Sequence, residues 1–201
     1  GEITRHQDFR YHGYTVNMLG LGTLGFTKTA RSSWYQNPSD SKIWNVMHND
    51  PTKRGLLINT YAQLQRSGAA FSFTSGSKIP ENVISSMNNQ YAITTNNKVY
   101  TPLLTRQTTT DYLTSVKTVT DYLYQPVFCL PEIVRTQNFS GTTLQGETTV
   151  ETEYENNPLG TGNSYYIGRT KKNITTKAYP DEYPTETRYT YNANGTLQKT
   201  Q

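Results

Sequence analysis

The chain has 201 residues, a formal net charge of +4, one cysteine and an apolar share of 33% that includes 16 Tyr. That length fits one ordinary domain or two small ones, and no run approaches the roughly 20 apolar residues of a membrane-spanning helix. One thiol excludes an internal disulfide, the scattered basic residues exclude a nucleic-acid footprint, and 33 Thr beside the Tyr favour strands over a Leu-rich helical core.

In chain order, residues 9–28 read as strand, turn, strand, with partial alternation at Tyr11, Tyr14, Val16 and Met18 and glycines at Gly20, Gly22 and Gly25. Residues 32–55 are polar, with Trp34, Tyr35 and Trp44 between the turn-prone Asn37-Pro38 and Asn49-Asp50-Pro51. Residues 56–61 read as a strand, which completes an N-terminal β segment, 1–64, with a Gly-rich turn. Residues 65–100 read as an irregular insertion, open to a short strand over 69–73 and to at most one short helix around 80–88, Pro80 at its first position. Residues 101–201 read as β-hairpin repeats. Thr, Tyr and Val dominate 105–124, and Val150, Thr152 and Tyr154 alternate with Glu151, Glu153 and Glu155. Asn194-Gly195 is the strongest short hairpin signal. The fold class expected is all-β, antiparallel hairpins in a meander.

Several constellations invite chemistry. Gly20-x-Gly22-x-x-Gly25 matches the dinucleotide fingerprint, and Asp40 lies where a ribose-binding acid would stand. The fingerprint works only where a helix begins at the glycines, and Phe26 to Ser33 offers no amphipathic helix. The glycines therefore read as a turn or bulge between strands. His6-x-Asp8 and His48-x-Asp50 lack a third ligand at a fixing distance, so they read as polar residues near turns. The Glu151, Glu153 and Glu155 ladder is expected to pair across strands with basic residues such as Lys171 and Lys172. Cys129, among apolar neighbours, is expected to be a buried structural thiol. No catalytic, cofactor-binding or metal-binding residue is assigned.

Residues 187–199, with Tyr189, Tyr191, Asn192 and Asn194-Gly195, resemble the YD repeat of Rhs-type proteins, Asn192 standing for the usual Asp. Tyr11-His12-Gly13-Tyr14 through Gly20-Leu21-Gly22-Thr23-Leu24-Gly25-Phe26 resembles the glycine-rich segment that precedes such repeats in Rhs and insecticidal toxin-complex B proteins. Thr118 to Tyr124 followed by Leu130-Pro131-Glu132-Ile133-Val134 is similar to degenerate repeats of the same array. The resemblance, which extends to wall-associated YD-repeat proteins, implies a β strip wound with neighbouring repeats into a shell around a C-terminal toxin or effector. It further implies a secreted or cell-surface bacterial protein. It carries over no catalytic residue, because the family's autoproteolytic site would lie beyond this segment.

The function expected is thus a non-catalytic structural segment of a larger YD-repeat protein. Its partners would be neighbouring repeats of the same chain or an enclosed effector domain, with no nucleic acid, no membrane span and no cofactor. Its structural motif residues are Gly20, Gly22, Gly25, Phe26, Tyr189, Tyr191 and Gly195. The alternative is a β-rich glycan-binding or adhesion module with Trp34, Tyr35 and Trp44 as an exposed platform for carbohydrate. A third reading, a hydrolase using His48 with Asp50, requires those groups to converge in a pocket.

Overall fold

A computed structural model describes residues 3–19, 22–76, 78–96, 99–178 and 181–201. Twelve strands succeed one another along the chain: β1 Phe9–Asn17, β2 Gly22–Ser32, β3 Lys42–Asp50, β4 Leu56–Gln65, β5 Val83–Asn96, β6 Val99–Asp111, β7 Val116–Tyr124, β8 Pro131–Ser140, β9 Thr143–Asn157, β10 Tyr166–Ala178, β11 Tyr183–Tyr191 and β12 Leu197–Thr200. They pair in that order as one antiparallel meander, the all-β architecture that the Thr and Tyr content predicts. Among the described residues the helical content is limited to two 3-10 turns, Pro51–Lys53 and Gly162–Ser164. The chain divides into two compact units, one of residues 1–90 with 108–116 and one of 91–107 with 117–201.

In the first unit one face of the sheet is covered. Alternation turns Lys28, Ala30 and Ser32 of β2, Lys42, Trp44 and Val46 of β3, and Asn59 and Tyr61 of β4 towards the same side, where all are buried. The register aligns Ala30, Val46, Tyr61 and Ser86 in one row across four strands. The chain between β4 and β5 folds back over this face as a strap. Its Phe71, Phe73 and Ile79 close the core formed by Ala30, Trp44, Val46, Tyr61 and Val83. Phe71 stacks on the Trp44 indole at 4.1 Å. The indole N–H donates to Gln65, whose side-chain N–H donates to the Ala69 carbonyl. Each large apolar side chain buried this way contributes about 1.5–3 kcal/mol, so a core this small leaves little margin.

Within 65–100 the structure decides two readings that the sequence left open. No helix forms around 80–88, because residues 81–82 make a turn and β5 starts at Val83. Val83 pairs with Gln63 and Ser86 with Tyr61, so Ile84 is an extra residue in β5, and the bulge places Val83 and Ser86 three apart on one face. That spacing imitates a helical stripe. Residues 69–73 form no strand either; Phe71 and Phe73 reach the core from irregular backbone.

In the second unit no described residue is fully buried. The register gives its sheet two unlike faces. One carries neutral rows such as Val134, Val150, Thr175 and Thr185, or Thr152, Asn173 and Thr187. The other carries charge: Arg106 meets Asp121 at 2.5 Å, Arg135 meets Glu147 at 2.5 Å, Lys171 meets Glu153 at 2.6 Å, and Lys172 and Arg188 meet Glu186 at 3.8 and 2.5 Å. Cross-strand pairing of the glutamate ladder is thus observed for Glu153, on exposed side chains where such a pair is worth at most about 1 kcal/mol. Cys129 is not the buried thiol expected. It lies half-buried in the β7–β8 turn at φ 54°, its N–H donating to the Gln125 carbonyl at 3.0 Å.

Candidate functional site

The residues of the repeat motif come together at β10–β12. The Tyr191 hydroxyl donates to the backbone carbonyl of Thr170 at 2.7 Å, and the Tyr189 hydroxyl accepts from the Asn173 amide at 3.4 Å. The turn after β11 closes as Asn-Gly chemistry predicts. Asn192 N–H reaches the Thr196 carbonyl at 2.9 Å, and Gly195 N–H reaches the Asn192 carbonyl at 2.8 Å. Gly195 sits at φ 85°, and a Cβ there would stand 3.1 Å from Nη2 of Arg169. That guanidinium lies 3.5 Å from the centre of the Tyr166 ring and 4.8 Å from that of Tyr191. A cleft of 570 Å³ lined by Tyr166, Arg169, Lys171, Tyr189 and Tyr191 opens beside them.

The tyrosine contact recurs in two other hairpins. Tyr124, last residue of β7, donates to the Leu104 carbonyl of β6 at 2.9 Å, and Tyr154 of β9 donates to the Pro131 carbonyl of β8 at 2.9 Å. In each hairpin a Tyr near the end of the second strand latches the first strand, fastening the open end opposite the turn. Tyr124 and Tyr191 each end a Tyr-x-Tyr pair visible in the sequence. The latch itself was not visible, because the acceptor is a backbone carbonyl that any residue supplies.

At the N-terminal motif Gly20 lies outside the described residues. Gly22 and Gly25 have φ of 69° and 98° and belong to β2, so a strand and not a helix comes after the glycines. The half-buried Phe26 packs between Tyr11 and Tyr14 at 5.0 and 5.4 Å.

Trp34, Tyr35 and Trp44 do not form one platform. Trp34 is 63% exposed, but Trp44 is 1% exposed and belongs to the core beneath the strap. Tyr35 is committed elsewhere: its hydroxyl donates to Asp8 at 2.8 Å, and its ring carries the Lys42 ammonium at 3.5 Å. Lys42 in turn meets Asp8 at 2.9 Å. Hydrogen bonds from Lys42 and Tyr35 hold the Asp8 carboxyl below its usual pKa.

The two His-x-Asp pairs are arranged differently. His6 bridges to Tyr35 through backbone bonds of 2.8 and 3.0 Å, while Asp8 serves Lys42. Asp50 caps the 3-10 turn by accepting from Thr52 N–H at 3.1 Å, and it meets Lys53 at 3.1 Å. His48 and Asp50 line one cleft of 470 Å³, with His48 Nδ1 buried and without a partner and Asp50 engaged by Thr52 and Lys53. Burial, then the nearby Lys28 ammonium, lowers its pKa. Lys28 is itself buried, donating at 2.5 Å to the carbonyls of both Thr74 and Gly76 in the strap. Among the described residues no group of three His, Cys, Asp or Glu side chains is placed to hold a metal ion. Nor is any helix there long and apolar enough to cross a membrane.

No protein-family model matches this chain, and no curated protein matches it. Solved structures do. The crystal structure of TcdB2-TccC3 without its hypervariable C-terminal region matches 97% of the chain with a TM-score of 0.62 at 9% identity. That of TcdB2-TccC3-Cdc42 matches 94% with a TM-score of 0.62, also at 9% identity. In both cases this chain spans 14% of the length of the protein it resembles. At that identity the likeness is one of fold: the twelve-stranded meander is built like a part of TcdB2-TccC3.

Proposed function

We propose that this chain is a structural segment of a larger secreted or cell-surface bacterial YD-repeat protein, forming part of a β scaffold or shell that encloses or displays a toxin or effector. The observation that carries the reading is the likeness of nearly the whole chain to 14% of TcdB2-TccC3, in agreement with the repeat-like residues at both ends of the sequence. The second unit supports it physically. A single-layer sheet that buries none of its described residues lacks the covering layer that independent stability normally needs. Neighbouring repeats or an enclosed domain of the same polypeptide would supply that layer, and the tyrosine latches would keep each hairpin closed until they do. The work done is mechanical, and no residue is assigned to bond-making chemistry.

Limited proteolysis of the intact gene product tests the reading, with fragments identified by mass spectrometry. The expected result is a resistant β region and a downstream segment that becomes cleavable only once that region is denatured. A product in which everything after this chain is cut at native rates would overturn it.

A further inference from the structure

Beneath the strap lies a row of polar side chains that the strap only partly satisfies. Along β4, Asn59, Tyr61, Gln63 and Gln65 share the covered face, and the register places His48 and Lys28 beside Asn59. Asn59 is 1% exposed and Tyr61 3%, yet both amide atoms of Asn59 and the Tyr61 hydroxyl are without a hydrogen-bond partner, as are Gln63 Oε1 and His48 Nδ1. Native interiors rarely leave such groups unpaired, because each one costs free energy when dry.

The bonds this floor makes to the strap are of one kind. Lys28 donates to the Thr74 and Gly76 carbonyls, and Gln65 donates to the Ala69 carbonyl. All are side-chain donors on the backbone of an irregular segment, while Phe71 fits against Trp44 and Phe73 lies 5.7 Å from His12. The remaining groups continue that pattern, since alternate residues of β4 stand about 6.8 Å apart, the dipeptide repeat of an extended chain. An amide side chain both donates and accepts, so Asn59 and Gln63 suit a peptide unit better than an apolar or singly charged ligand.

We propose that this face is a binding slot for an extended polypeptide carrying two aromatic residues two positions apart, and that the strap is its displaceable occupant from within the chain. Phe71-Ser72-Phe73 is the internal copy of that recognition pattern. The slot stands whether or not the chain belongs to a shell.

The test uses the full chain with 67–81 replaced by a Gly/Ser stretch of equal length and Trp34→Phe, so that Trp44 alone reports. A synthetic peptide of the 66–82 sequence is titrated in and Trp44 emission followed. Saturable binding with a blue shift is expected, and a peptide carrying Phe71→Ala and Phe73→Ala should bind about tenfold more weakly or worse. A folded variant that binds neither peptide, or both equally, overturns the proposal. Should that variant not fold, hydrogen exchange decides on the otherwise native chain. Asn59→Leu removes two unpaired atoms from the closed state and should slow exchange of the strap amides about tenfold. Unchanged or faster exchange there overturns the proposal equally.

Discussion

The hydroxyl of Tyr191 and the carbonyl of Thr170 meet at 2.7 Å across the open end of the β10–β11 hairpin. Tyr191→Phe keeps the ring over Arg169 and removes only the donor, so it should cost about 1 kcal/mol. In a chain of this size that corresponds to a fall in Tm of about 2–4 °C. Tyr124→Phe should cost a similar amount, and the pair should add, since the two latches share no partner. Thermal melts of the three variants check this, and a Tyr191→Phe melt identical to the parent's would remove the latch from the account.

Gly13 and Gly141 separate two costs that glycine avoids. Both lie at positive φ, 67° and 59°, where a side chain costs about 1–3 kcal/mol. Nothing stands near a Cβ at Gly141, whereas one at Gly13 would fall 1.9 Å from Thr27 Oγ1. Gly13→Ala should therefore destabilise more than Gly141→Ala in urea titrations. Adding Thr27→Ala should recover part of the difference, and its failure to do so would show that contact to be irrelevant.

The two tryptophans should behave in opposite ways. Trp44→Ala opens a cavity under the strap and should cost about 3–5 kcal/mol, enough to threaten the first unit. Trp34→Ala should stay within about 0.5 kcal/mol. Iodide should quench Trp34 emission and spare Trp44 in single-tryptophan variants. Equal quenching would contradict the burial described.

Acid should weaken the first unit in two windows. Burial, then Lys28, lowers the His48 pKa from 6.5, so His48 contributes stability above about 6.5 that is lost as pH falls through its lower folded value. Hydrogen bonds from Lys42 and Tyr35 lower the Asp8 pKa from 3.8, so the Asp8 contribution is present above about 3.8 and is lost only below it. In melts taken across pH, His48→Gln should flatten the upper window. Asp8→Asn should reduce the lower one without abolishing it, because Asp40 and Asp111 of the same unit are held low by backbone N–H groups as well.

Strands with strict alternation were legible in the sequence. Glu151, Glu153 and Glu155 are exposed where Val150, Thr152 and Tyr154 are half-buried, and Asn194-Gly195 makes its turn. Both depend on neighbours in sequence. The strap was not legible, because Phe71 and Phe73 are explained only by Trp44, a partner 27 residues away from Phe71. A period of two at Phe71-Ser72-Phe73 reads as a strand until that partner is known, and the bulge at Ile84 disguises β5 as a helix. The aromatic platform failed for the same reason, since the side of the sheet that holds Trp44 is set by burial and not by its own neighbours.

The order of the strands in space is their order in the chain. Each pairing is therefore available as soon as the next strand has been made, with no wait for a distant segment to return. Local closure of this kind keeps the entropic barrier to assembly low for a β protein. It also makes length modular: a hairpin gained or lost moves the later strands along by two places and leaves every other register intact. Such a sheet can grow by whole pairs of strands without being redesigned.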